Sequence, residues 1–236
     1  MRIRISVDSH SRSYPYMLYV IATPIGNLND ITLRAIETLK QSDFVIAENP
    51  KNSGRLLQHF GIKKPFQQFA DHNEQRALPR LIEMLKTQTG ALITDAGTPG
   101  VSDPGFRLVR ACIDAGVKIV PIPGANAGLA ALSVAGLPTD RFLFLGFAPR
   151  TETKLIKAIQ LGEQTESTVI FYESPFRIVK SLGFIDKHFP DAHIVVGREI
   201  TKVFEEFLRG SPREVLSELT KENTKGEFTL LIAFKK

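Results

Sequence analysis

Three short segments rich in glycine, proline and small polar residues hold most of the side chains that could act on a ligand. They are residues 23–30 (TPIGNLND), 95–104 (DAGTPGVSDP) and 123–128 (PGANAG). Each follows an apolar run that reads as a buried strand: 18–22 (LYVIA), 91–94 (ALIT) and Lys118–Ile122 (KIVPI). Ligands of open α/β sheets settle at the carboxyl ends of the strands. Glycine there lets backbone come close to the ligand, and Gly97 is assigned to such a contact. Three such loops in one half of the chain point to a built binding region, where one alone would be turn chemistry. His72, in the polar stretch 72–74 just ahead of a helical pattern, is a candidate for substrate contact; Asn73 or Glu74 beside it could instead support the helix start.

What is missing narrows the chemistry. No G-x-G-x-x-G follows the first strand, and no G-x-x-x-x-G-K-[ST] occurs, so the dinucleotide fingerprint and the phosphate loop are both absent. The five histidines show no H-E-x-x-H spacing, and no metal site is expected. The single cysteine, Cys112, cannot form an intrachain disulfide and reads as packing, which suits a reducing compartment and a cytoplasmic protein.

The elements that must hold these loops are legible from periodicity. Apolar Leu78, Leu81, Ile82 and Leu85 make one helical stripe, and Phe106, Val109, Cys112 and Ile113 repeat it behind Asp103-Pro104, an expected helix start. After the turn at 136–140 (GLPTD) the pattern restarts with Phe142–Phe147, 168–172, 193–196, 205–209 and 227–234, strand signals in closer succession. The expected fold is α/β, with two α/β domains, 17–140 and 141–236, the second carrying a mixed, partly antiparallel sheet. A ligand cleft is expected between the two halves. At 236 residues the chain has room for both. Residues 1–16 have arginines but no apolar signal-peptide core and are expected to form a flexible N-terminal arm. The most apolar stretch, 124–137, is shorter than the ~20 residues that span a bilayer, so no membrane association is expected. Thirty Lys+Arg against 25 Asp+Glu give +5, of which +2 lies in Arg2, Arg4, Arg12 and Asp8, leaving about +3 from Met17 onward. This is compatible with a polyanionic partner without requiring one.

The runs LYVIATPIGNLNDITLRAIETLKQSDFVIAE, HNEQ (72–75), LITDAGTPGVSDPGFRLVRACIDAG, VPIPGANA, GLPTDRFLFLGFAP, FYESPFR (171–177), REITKVFEEFLRG and KGEFTLLI occur in this order, without large gaps, over 18–234. In these the chain resembles the bacterial ribosomal RNA small-subunit methyltransferase I family of the tetrapyrrole methylase superfamily. The resemblance implies S-adenosylmethionine as cofactor, a cytidine ribose 2′-oxygen of 16S rRNA in the small ribosomal subunit as acceptor, and a homodimer. It further implies cofactor contacts at Pro24, Thr98, Val101, Asn126, Ala127 and Tyr172. Two stretches depart from the family pattern. Ala47-Glu48-Asn49-Pro50-Lys51 stands where the family reads A-E-D-T-R, and 123–127 (PGANA) stands where it reads P-G-P-S-A. Two alternatives stay in view: transfer to a tetrapyrrole or other small molecule, as in more distant relatives of the superfamily, and a cofactor-binding, ribosome-associated module without catalysis, which the first departure suggests.

Methylating a hydroxyl also requires that its proton leave. Glu48, at the end of the apolar run 44–47 (FVIA) that reads as a second strand, and Asp103, in the second loop, are the candidate bases. The competing roles are backbone binding in a loop for Glu48 and helix capping for Asp103. Arg177, Arg198 and Lys202 flank strand ends and are candidates for phosphate contact. Each could equally hold an ion pair, for example with Glu173, Glu199 or Glu205.

Overall fold

The computed structural model describes residues 16–234, so the expected N-terminal arm lies, apart from Tyr16, outside the described residues. The chain divides into two units. One comprises the described residues up to Ala22 together with Thr32–Pro123; the other comprises Thr23–Ile31 and the residues from Gly124 onward.

The first unit holds β1 (Met17–Ile21), α1 (Leu33–Gln41), β2 (Phe44–Ala47), α2 (Pro50–His59), β3 (Phe66–Gln68), α3 (Glu74–Leu85), β4 (Gly90–Ile93), α4 (Phe106–Asp114) and β5 (Lys118–Ile122). All strand pairs are parallel, in the order β3-β2-β4-β1-β5. Every residue of β2 (FVIA) and β4 (GALI) is buried, as central parallel strands covered on both faces require. Leu18, Phe44, Ile46 and Leu92 of the sheet pack with Leu81, Leu85, Leu108 and Cys112 of the helices. Burial pushes the Cys112 thiol up to about 11, which agrees with a packing role. The α4 stripe differs from its expected form. The helix starts at Phe106 behind Gly105, Leu108 and Cys112 face inward, and Phe106 and Ile113 are exposed.

The second unit holds α5 (Ala127–Ala135), β6 (Phe142–Phe147), α6 (Glu152–Gln164), β7 (Thr168–Glu173), α7 (Ile178–His188), β8 (His193–Arg198), β9 (Glu206–Gly210), α8 (Pro212–Glu218) and β10 (Phe228–Ala233). Its sheet has the order β6-β7-β10-β8-β9, with β6 and β7 parallel and the remaining pairs antiparallel. Fully buried β10 lies between β7 and β8. The contacts divide the chain at Pro123/Gly124, ahead of the break at 136–140 on which the sequence boundary rests. Gly136, at φ +74°, does end α5 in the left-handed cap expected of a helix terminus. The helix itself packs Ala131, Leu132 and Ala135 with Ile170, Val195 and Leu231 of the second sheet. No helix among the described residues is long and apolar enough to cross a membrane.

Candidate functional site

Because all strands of the first sheet point the same way, the loops after β2, β3 and β4 leave from one edge. Four carboxylates stand on them: Glu48 after β2, Asp71 after β3, and Asp95 and Asp103 after β4. None has an ion-pair partner among the described residues. Burial, then the charge of Asp95, then that of Asp71, raise the Glu48 carboxyl above its ordinary range. Asp103 is half-buried, and burial, then Glu48, then Asp95, push it up to about 6. Asn52 donates to Asp95 Oδ2 at 2.8 Å, and Gln68 donates to the backbone oxygen of Glu48 at 3.3 Å.

The expected helix-capping alternative for Asp103 is not what the structure contains. The N-cap of α4 is Gly105, and no side chain caps that helix. The loop bends back on itself instead, with Gly97 and Gly100 at φ +80°, Ser102 at +63° and Gly105 at +145°. A Cβ on Gly105 would stand 3.1 Å from the Gly100 nitrogen, so a side chain there would force the turn open. Gly97 is buried at the start of this turn, and Val101 N donates to Thr98 O at 3.2 Å.

The altered stretch 49–51 has a local account. The Asn49 side chain caps α2, accepting from the Lys51 and Asn52 amides at 3.2 and 3.4 Å, with Pro50 in the first turn. Asn caps as well as Asp, and proline suits that first position. His72 is exposed ahead of α3, while Asn73 Oδ1 accepts from Ala70 N at 2.9 Å and Glu74 is buried against Arg107 at 3.2 Å.

In the second unit Pro24 is buried, Ala127 opens α5, and the Asn126 side chain caps that helix, accepting from Leu129 N at 3.0 Å. Tyr172, on β7, meets Phe144 and Phe147 edge-on at centroid distances of 5.0 and 5.8 Å. The three cationic candidates are all engaged by carboxylates. Arg177 pairs with fully buried Glu173 at 2.6 Å, and Arg198 pairs with Glu206 at 3.5 Å. Lys202 bridges Glu199 and Glu227 at 2.9 Å each. Sequence reading missed Asp95 and Asp71 as members of the carboxylate group. Their only signal is position, directly or shortly after a β-strand. Among the described residues no group of three or more His, Cys, Asp or Glu could hold a metal ion.

A parallel sheet with carboxylates on its carboxyl-end loops, joined in sequence to a mixed five-stranded sheet, is the setting in which the comparisons fall. Residues 17–216 match the tetrapyrrole (corrin/porphyrin) methylases, and the chain belongs to that family. The fold is shared with a crystal structure of diphthine synthase, at a TM-score of 0.73 and 17% identity over 93% of this chain and 90% of that one. Among curated relatives, a protein of Pasteurella multocida (strain Pm70) is 46% identical over 223 residues, 93% of this chain and 79% of its own. A second, from Halalkalibacterium halodurans, is 43% identical over 216 residues, 91% of this chain and 75% of its own. Both are named ribosomal RNA small subunit methyltransferase I.

Proposed function

We propose that this protein transfers a methyl group from S-adenosylmethionine to the 2′-oxygen of a cytidine ribose in 16S rRNA, acting in the cytoplasm as a homodimer on the small ribosomal subunit. The observation that carries the reading is identity of 43–46% over more than nine-tenths of the chain with proteins named for this class of reaction. The donor set of the first unit fits the cofactor. Carboxylates without ion-pair partners favour a cationic sulfonium, and Gly97, in a left-handed conformation, turns the loop without a side chain in the way of a ligand. Gly97, Thr98 and Val101 would hold the cofactor there. When bound, S-adenosylmethionine supplies an electrophilic methyl group.

The protein's own part is to orient the ribose hydroxyl and take its proton. Asp103 is the base in this reading. At about 6 its pKa leaves it ionised at neutral pH, yet a stronger base than an ordinary aspartate. Glu48 and Asp95 act through Asp103, their charges raising its basicity. Fixing the hydroxyl beside the carboxylate lowers the barrier further by removing the entropy of encounter, up to ~7–11 kcal/mol in the best intramolecular cases.

The test is labelled-methyl transfer to purified small subunits, to protein-free rRNA and to a free tetrapyrrole at one ionic strength, since salt alone shifts such affinities. Transfer to subunits exceeding that to naked RNA is expected, because a small net charge suits recognition of a folded, assembled RNA. Transfer to the tetrapyrrole alone, or binding to subunits without transfer, would overturn the reading.

A further inference from the structure

In the second sheet β6, β7 and β8 run in the same direction, so the loops 148–151, 174–177 and 199–205 leave one edge. Two of them present an exposed aromatic ring: Phe176 is 94% exposed and Phe204 71%. Their surroundings differ in charge. Phe204 shares its pocket with four carboxylates, Glu199, Glu205, Glu206 and Glu222, against two cations, Arg198, which is already paired, and Lys225. That setting repels phosphate.

Phe176 has the opposite setting. Arg150 and Lys154 lie on the adjoining loop and the start of α6, without an ion-pair partner among the described residues, whereas Lys180 of α7 is turned over the Phe184 ring, 5.5 Å from its centroid. The two acids of these segments are occupied. Glu152 holds Lys187 and His188, and Glu173 is buried. The loop bearing the ring is fixed from below by that Glu173. Its Oε1 accepts from the Ser174 amide at 2.7 Å and from Arg177 at 2.6 Å, and its Oε2 accepts from the Ser181 hydroxyl at 2.5 Å. Arg177 also donates to Ala148 O at 3.1 Å, which ties the ring's loop to the one that carries Arg150.

An exposed aromatic face on a braced loop, beside unpaired cations, is the arrangement by which proteins stack unpaired bases while neutralising the flanking phosphates. Resting on the reading that the acceptor is RNA, we propose that Phe176 is a stacking platform for an unpaired base of the rRNA substrate, with Arg150 and Lys154 meeting the neighbouring phosphates.

The experiment measures methyl incorporation into purified small subunits by the wild type and by Phe176→Ala, Phe176→Leu and Phe176→Tyr. It is run alongside calorimetric titration with S-adenosylmethionine, melting temperature and sedimentation. The ring is almost wholly exposed, so truncation leaves no cavity. Phe176→Ala and Phe176→Leu are expected to raise KM for subunits about 5- to 150-fold, the range spanned by base–aromatic stacking. Turnover at saturation, cofactor affinity and melting temperature should stay at wild-type values, and Phe176→Tyr should recover most of the loss. An active wild type with Phe176→Ala or Phe176→Leu at wild-type KM overturns the platform and leaves the methyl-transfer reading standing. A wild type that transfers no methyl to subunits overturns that reading and the platform with it. Loss of a dimer in Phe176→Ala would place the ring in a contact between copies, which also overturns the platform.

Discussion

Asp103→Asn separates two consequences of one buried charge. Burial, aided by Glu48 and Asp95, moves this carboxyl from 3.8 to about 6. A difference of roughly two pH units corresponds to ~3 kcal/mol at about 1.4 kcal/mol each. Solvent reaches the half-buried group, which reduces the expected effect to ~1 kcal/mol. Its pKa in the folded protein lies above the unfolded value, so folding favours the protonated form. The stability that this group contributes is therefore fully present below pH ~4 and is lost as the pH rises through about 6. The amide carries no charge at any of these pH values. Urea denaturation should find D103N about as stable as the wild type at pH 3.5 and more stable by ~1 kcal/mol at pH 7.5. Activity should move the other way, with a fall of about 10²–10⁴ in kcat/KM and loss of the rising limb near pH 6. Equal stability of the two proteins at pH 7.5 would refute the burial argument. Wild-type turnover with the limb intact would refute the assignment of the base.

Two further perturbations probe the supports of the site. Gly97→Val places a β-branched residue at φ +80°, which costs ~1–3 kcal/mol of strain; calorimetry should find S-adenosylmethionine binding abolished, and wild-type affinity would remove this loop from the cofactor site. Glu173→Gln takes the carboxylate from Arg177, the Ser174 amide and the Ser181 hydroxyl together, and urea denaturation should show a loss of ~1–3 kcal/mol, whereas unchanged stability would mean that the turn at 174–177 holds without it.

The sequence exposes strands and loops better than it exposes helix faces or unit boundaries. Lys118–Ile122 and Phe142–Phe147 are β-strands over the full extents that their apolar runs imply, because continuous β-branched or aromatic residues mark a strand, but both lie at sheet edges and are half-buried where the run alone reads as a buried strand. The β3 strand, Phe66–Gln68, carries no such run, being a three-residue edge strand with a polar end. The start of α4 misleads for a different reason. Asp103-Pro104 has the chemistry of a helix N-terminus, but Gly100, Ser102 and Gly105 supply left-handed turns that consume the loop before the helix begins. That is why Asp103 is left facing other carboxylates in place of a row of amide groups. The carboxylate group itself is invisible to spacing. Glu48, Asp71 and the loop that bears Asp95 and Asp103 lie far apart in the chain, and only the parallel order β3-β2-β4 brings them to one edge.

Charge shows the same limit from the other side. A formal net charge of +5 says little about where RNA could bind, because what matters is which cations are not already neutralised. Arg177, Arg198 and Lys202, the cations that the sequence offers for phosphate contact, are ones the fold uses to brace its own loops against Glu173, Glu206, Glu199 and Glu227. Bracing and binding compete for the same charge. A guanidinium held at 2.6 Å by a buried carboxylate has little potential left for a phosphate, but it can fix the backbone on which an exposed side chain stands. Arg150 and Lys154, which support no loop, keep their charge for solvent or a ligand. The paired cations make the edge rigid and the unpaired ones make it attractive to a polyanion, and beside Phe176 both acids of its segments, Glu152 and Glu173, are already engaged.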